Sequence, residues 1–236
     1  AKEAADIVLL DEDFGSIVAG VRLGRRIFDN LRKVMTYIAA IHIPIAGIAL
    51  IPPMLGASLI FLPLHVVVIQ MVIDPICSLA FEHEREEPNI MDRPPRLLAE
   101  PLIGLPQITW GIAQGAALLA VCLLVHMVAL GQGLAEDRAR TLVFVCLTAG
   151  NLALVQVNAT RRIALPLIFR AGSGTFWAIA VFAVTVLALI ISIPVLAGVF
   201  RFDLPDAPSM AIAVAAGLTA PLAFDFLKPL LRRRAA

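Results

Sequence analysis

Six apolar runs, at about 35–55, 60–82, 107–131, 141–159, 176–199 and 209–229, leave this chain few ways to fold. A bilayer core about 30 Å thick is crossed by about 20 apolar residues in a helix. A soluble domain of 236 residues has no use for so many such runs. Inside lipid every backbone N–H and C=O must find its partner within the protein, which favours helices over open strands. The expected fold is therefore an all-α membrane protein, a six-span helical bundle whose first partner is the lipid bilayer. A hydrophobic content of 60% against 16% charged residues agrees.

Charge sets the direction of threading. If residues 1–34 are cytosolic, the spans alternate and the lysines and arginines can be counted side by side. The cytosolic segments hold six (1–34), three (83–106), three (160–175) and four (228–236), while the opposite side holds only Arg138, Arg140 and Arg201. That bias is the positive-inside rule, and it predicts a multi-pass chain with both ends cytoplasmic; the plasma membrane is the expected location. No internal repeat is visible, so an inverted-repeat transporter has no support. Nor does a net charge of +1 suggest nucleic acid as a partner.

Two regions follow: 1–34, a soluble stalk, and 35–236, the membrane domain. Within the first, Ile7–Leu10 reads as a short buried strand and the acidic 11–13 as a turn. A polar helix then runs from Ser16, a fair N-cap, to Lys33 and straight on into the first span. The opening AKEAAD has no Met and no signal sequence, which suggests a piece of a longer protein.

Chemistry concentrates in the second span, LHVVVIQMVIDPICSLAFE (64–82). Gln70, Asp74, Ser78 and Glu82 recur every four residues and draw one polar stripe down an apolar rod. An ionisable group within a span is costly and by default marks an ion pathway. Pro75 has no N–H, so the carbonyl of Met71 loses its helical partner and can face a ligand. In the first span His42 and Pro44 lie mid-run, and Pro44 frees the carbonyl of Ala40 in the same way. At about 1.5 Å per residue, Ala40–Pro44 and Asp74 both fall roughly 10–14 Å from the cytosolic ends of their helices. Oxygen ligands at a shared depth suit a hard cation or a proton.

Thr148 and Asn151, sharing a face in the fourth span, could add neutral oxygens. Each candidate has a plainer reading as well. His42 could simply bond a backbone carbonyl, and Thr148 and Asn151 could be interhelical glue. Gly111 and Gly115 read as a helix-packing patch, and Asp225 beside Lys228 as an interfacial ion pair. Cys77, Cys122 and Cys146 read as small core residues, and His65 and His126 receive no role. No phosphate-cradling loop, nucleophile elbow or paired catalytic carboxylates are present.

Three stretches resemble the C-terminal third of P-type cation-transporting ATPases of the calcium-pump-like class. AKEAADIVLLDEDFGSIVAGVRLGRRIFDNLRK is similar to the end of their phosphorylation domain and the stalk of the fifth membrane helix. IDP at 73–75 matches their sixth-helix ion-binding acid. NIMDRPPR, which includes Asp92, Arg93, Pro94, Pro95 and Arg96, resembles the cytosolic loop between helices six and seven. The six spans would then be helices five to ten of an ion-translocating ATP hydrolase.

The resemblance implies actuator, nucleotide-binding and phosphorylation domains upstream, where ATP and Mg2+ would bind, so the present chain alone should be inactive. It also implies an ion site of Asp74, Gln70, His42, Ala40, Met71, Thr148, Asn151 and Ser78, with Asp74 and Gln70 as metal ligands. The cargo would be a metal cation such as Ca2+. Departures are clear, since His42 and Ile45 stand where calcium pumps have Asn and Glu, and Thr148 stands where they have an eighth-helix Glu. A proton pump using Asp74 with His42 is one alternative. A truncated, non-catalytic module or passive channel-like bundle is the other.

Overall fold

A computed structural model describes residues 13–232 apart from 83, 85, 88, 96–100, 161–163 and 165–173. The expected strand at Ile7–Leu10 and the loop residue Arg96 lie outside the described residues. Among the described residues there are helices and no strands.

Helix α1 (Phe14–Met54) is one uninterrupted rod of 41 residues, so stalk and first span are a single element. Its cap is Asp13, not Ser16: the Asp13 carboxylate accepts from the Gly15 N–H at 2.8 Å in extended backbone, and Ser16 already lies inside the first turn. The second span, α2 (Pro63–Glu82), is α-helical at Pro63–Val68 and Asp74–Glu82 with a π-helical turn at Ile69–Ile73 between. Then come α3 (Leu105–Gly131), α4 (Glu136–Ala159), α5 (Gly174–Ser192), the short α6 (Pro194–Phe200) and α7 (Ala207–Arg232). The fifth apolar run is thus two helices. Pro194, which cannot donate to the preceding turn, instead occupies the first position of a new one.

Six of these helices are long and apolar enough to cross a membrane. The bundle is organised around α4, whose apolar window is 72% buried against 28–39% for the other five. On one side α4 meets α7 across Gly150 and Gly217: a Cβ at Gly217 would collide with the Cys146 carbonyl. On the other, α3 packs on α1 through its small-residue patch. A Cβ at Gly111 would lie 2.6 Å from the Thr36 carbonyl oxygen, and one at Gly115 would collide with the Ala40 carbonyl. The patch is a packing device, as expected, and it brings two backbones into contact where any larger residue would hold them apart.

Each end of the bundle is tied down. On the far side from the stalk, buried Arg140 donates to the carbonyls of Ile60 (2.7 Å), Leu59 (3.3 Å) and Arg201 (3.1 Å), and it pairs with Asp137. One guanidinium therefore joins the α1–α2 loop, the start of α4 and the α6–α7 loop. Beside it His65, fully buried, accepts from the Leu62 N–H through Nδ1 (2.8 Å) and bonds the Phe200 carbonyl through Nε2 (2.7 Å). With Nδ1 used as an acceptor, the proton belongs on Nε2. Phe61, Phe144, Phe200 and Phe202 surround the ring.

On the stalk side, the loop after α2 lies along α1. Arg25 donates to the carbonyls of Ile90 and Arg93, both at 2.8 Å, and Arg26 to that of Glu84 at 3.1 Å. Arg93 returns a 2.6 Å ion pair to Asp29, and Lys33 pairs with Glu87 at 3.7 Å with both side chains nearly buried. The described part of this loop is a strap on the stalk. Of the motif residues, Arg93 makes the tie, while Asp92, Pro94 and Pro95 face solvent.

Asp225 and Lys228 of α7 form the expected ion pair at 2.6 Å. Asp225 also accepts from the Ala164 N–H (2.8 Å), and Lys228 donates to the carbonyls of Val157 (2.5 Å) and Thr160 (3.0 Å). These partners occupy Asp225 in holding the end of α4 and the segment at Ala164, a structural job.

Candidate ion site

Asp74 opens the third part of α2, directly after the π turn. That turn has a local cause. In an α-helix the Pro75 nitrogen would owe a hydrogen bond to Met71, and it has no hydrogen to give. The Asp74 N–H reaches back five residues to Ile69 instead of four, so the helix widens rather than unwinding. One acceptor in the Gln70–Met71 stretch is left without its helical donor. Widened turns of this kind concentrate at functional sites.

The Asp74 side chain is 8% exposed, and neither carboxylate oxygen has a hydrogen-bond partner among the described residues. Buried polar groups are nearly always bonded, because an unpaired one costs about 1–3 kcal/mol and a charged one more. A carboxylate left this way, about 12 Å from the stalk-side end of α2 by helical rise, has both oxygens open to a ligand.

The other residues singled out from the sequence fall in different places. Gln70 is half-buried within the π turn. Met71 turns its side chain outward, 73% exposed. Ser78 donates to the Pro75 carbonyl at 2.7 Å and so is engaged within its own helix. His42 is exposed, and its Nδ1 lies 2.8 Å from the Ile38 carbonyl oxygen, the plainer of its two readings. It remains within electrostatic reach of Asp74. The Ala40 carbonyl, freed by Pro44, is packed against Gly115 of α3. Thr148 donates back to Phe144 at 2.9 Å and faces an apolar cavity of about 490 Å³ among α4, α5 and α7. Asn151 is 1% exposed with its side-chain oxygen unpartnered. The neighbouring Asn158 is glue, donating to Gln114 of α3 at 3.1 Å.

Two residues absent from the sequence-level site stand beside Asp74. Tyr37 of α1 is fully buried, with its ring 5.3 Å from that of Phe81. Its hydroxyl makes no well-formed hydrogen bond. It nonetheless lies close enough to the Cys77 thiol and the Asp74 carboxylate for the three to interact. Cys77 is itself fully buried. Both had a signal available: Tyr37 is the chain's single tyrosine, and Cys77 lies three residues past Asp74, on the same helical face. Asp74, Tyr37 and Cys77 are thus all buried, two on α2 and one on α1, within electrostatic range of one another. Among the described residues no group of three or more His, Cys, Asp or Glu side chains could hold a metal alone. A site here needs the phenol, backbone oxygens or a further element.

Residues 58–230 match the family described as "Cation transporting ATPase, C-terminus". Among curated relatives, the chain is 26% identical to a calcium-transporting ATPase 1 of Yarrowia lipolytica, over 69% of this chain and 18% of that protein. It is 40% identical to a sodium/potassium-transporting ATPase subunit alpha of Drosophila melanogaster, over 50% of this chain and 12% of the other. It is also 38% identical to a probable cation-transporting ATPase F of Mycobacterium bovis, over 44% and 11%. The chain spans less than a fifth of the length of each.

Proposed function

Because the chain belongs to the family formed by the C-terminal membrane region of P-type cation-transporting ATPases, we propose that it binds and carries the ion for an ATP-driven pump, with Asp74 as the principal ligand. One observation carries the reading: a buried carboxylate with both oxygens unpartnered, next to a π turn in a membrane span. Gln70 and the carbonyl left free before Pro75 are its nearest helpers in sequence. The strap along α1 would carry force from upstream domains, where ATP and Mg2+ would act, to the base of α2. Both ends of the chain would lie in the cytoplasm, with the bundle in the plasma membrane.

The cargo of this reading is a metal cation. Ca2+ is the candidate named by the yeast relative, while the sodium/potassium-transporting relative names others. A second reading, a proton, is favoured by the count of carboxylates, since one titratable Asp can carry one proton without further charge. In the full-length pump, Asp74→Asn is expected to abolish ion-dependent phosphorylation while the protein still inserts. Normal ion-activated turnover in that variant rejects the assignment. Acidification of vesicles without added metal would select the proton.

A further inference from the structure

We propose that Cys122 and Cys146 form a modification site: an intramembrane dithiol that a peroxide closes to a disulfide, stapling α3 to α4. It is independent of the ion-site reading and uses none of that site's residues. Both side chains are fully buried, and the Cys122 thiol donates to the Cys146 sulfur at 3.8 Å. They face each other across a helical hairpin, since α3 ends at Gly131 and α4 begins at Glu136. At a helical rise of about 1.5 Å per residue, both lie about 14–15 Å from that turn, well inside the lipid-spanning part of the bundle. Contacts on the stalk side of the pair fix the register of the two helices. Leu118 of α3 packs over Gly150 of α4, and Asn158 donates to Gln114 at 3.1 Å.

Two thiols already in contact need only turn their side chains to reach bonding distance, about 2 Å between sulfurs. Hydrogen peroxide is small and uncharged, so it enters lipid and packed helices where charged oxidants do not. The first thiol takes one peroxide oxygen, becomes a sulfenic acid and releases water. The second sulfur then attacks the first, its proton leaves with the displaced hydroxyl as a second water, and the S–S bond forms. Two thiols are oxidised by two electrons in all, and one peroxide is reduced to two waters. Because the second thiol is held against the first, the closing step is intramolecular and outruns further oxidation of the sulfenic acid. Glutathione and thioredoxin, which keep cytosolic thiols reduced, act from water, and a bond at this depth is shielded from them. Its structural effect follows from the glycine contacts. Helix α3 is seated on α1 at Gly111 and Gly115, and α4 on α7 at Gly217, so the bond fastens one pair of helices to the other.

The test uses the full-length protein in its native membrane. Water-exposed thiols are first blocked with a charged maleimide that cannot enter lipid, and hydrogen peroxide is then added. After denaturation in dodecyl sulfate, the remaining thiols are tagged with a polymer-linked maleimide and counted by gel shift. Peroxide should remove two tags from the wild type and none from Cys122→Ala or Cys146→Ala, and dithiothreitol added after denaturation should restore both. Mass spectrometry of the oxidised wild type should find one linked peptide pair containing Cys122 and Cys146, a readout that needs no variant to fold. Oxidised wild type should also unfold at a higher dodecyl sulfate concentration than reduced wild type, with no such shift in Cys122→Ala. The proposal is overturned if the linked peptide is absent, or if wild type and Cys122→Ala lose the same number of tags. Tags that dithiothreitol cannot restore overturn it too, because they mark oxidation past the disulfide. An unchanged unfolding midpoint in the oxidised wild type overturns the staple.

Discussion

Gly115→Ala tests how closely α3 is seated on α1, the helix facing the candidate ion site. The added Cβ would collide with the Ala40 carbonyl and come within 2.8 Å of the Ile43 Cβ. Neither is the far end of a flexible side chain, so α1 and α3 must separate. Overpacking of this kind costs about 1–3 kcal/mol, and a backbone obstacle belongs at the upper end. Against it stands the helix-propensity gain of Ala over Gly, about 1 kcal/mol. The net expectation is a loss of about 2 kcal/mol, roughly a thirtyfold change in the folded-to-unfolded ratio. Gly20→Ala provides the control, because a Cβ there meets nothing within 4 Å and only the propensity gain remains. The purified chain can be unfolded in mixed micelles with increasing dodecyl sulfate. Fluorescence of Trp110 reports the α3 side, since its ring packs edge-on against Phe224 at 5.0 Å. A Gly115→Ala midpoint equal to or above wild type, in an assay that registers the Gly20→Ala gain, would refute the close backbone contact.

Arg140→Met should be among the most destabilising single changes on the far side, because it orphans three carbonyls and uncouples three segments at once. About 3–5 kcal/mol is expected in the same titration, and a loss below about 1 kcal/mol would show that the guanidinium is dispensable. Asp206 caps α7 by accepting from the Ser209 hydroxyl (2.8 Å) and N–H (3.1 Å). The Ser209 hydroxyl, followed by its N–H, holds the Asp206 carboxyl below the usual carboxylate range. A depressed native pKa stabilises above the unfolded value of about 3.9 and is lost as pH falls through the native one. Wild type and Asp206→Ala should therefore differ in midpoint near neutral pH and converge in acid below the native pKa. A gap that persists in strong acid would contradict the cap.

Much of this architecture was legible in the sequence because lipid allows so few alternatives. Six runs of sufficient length had to become helices, and all six did. Gly111 and Gly115 were readable because only small residues let backbones touch. What escaped was anything set by tertiary pairing. The acidic Asp13 and the hydroxyl of Ser16 are both good caps, and only the geometry of the first turn chooses between them. Spacing of four identified the stripe of Gln70, Asp74 and Ser78 but not that a π turn lies within it. Tyr37 offers the sequence only its uniqueness, because its place depends on which helix it faces. The Ala40 carbonyl packs against Gly115 of α3, a neighbour that the proline at 44 could not name from sequence.

Along α1 the chain is helical from stalk to far side, and its turn at Pro44 is braced by the Ala40–Gly115 contact. Backbone-to-backbone approaches join α3 to α1 at Gly111 and Gly115, and α4 to α7 at Gly150 and Gly217. Packed cores of this kind shift between discrete arrangements rather than bending smoothly. Helix α2 contains the one π turn among the described residues and is held at its ends by Arg140 on the far side and the strap on the other. The candidate ion site therefore lies between these glycine-packed helices and the one π turn among the described residues.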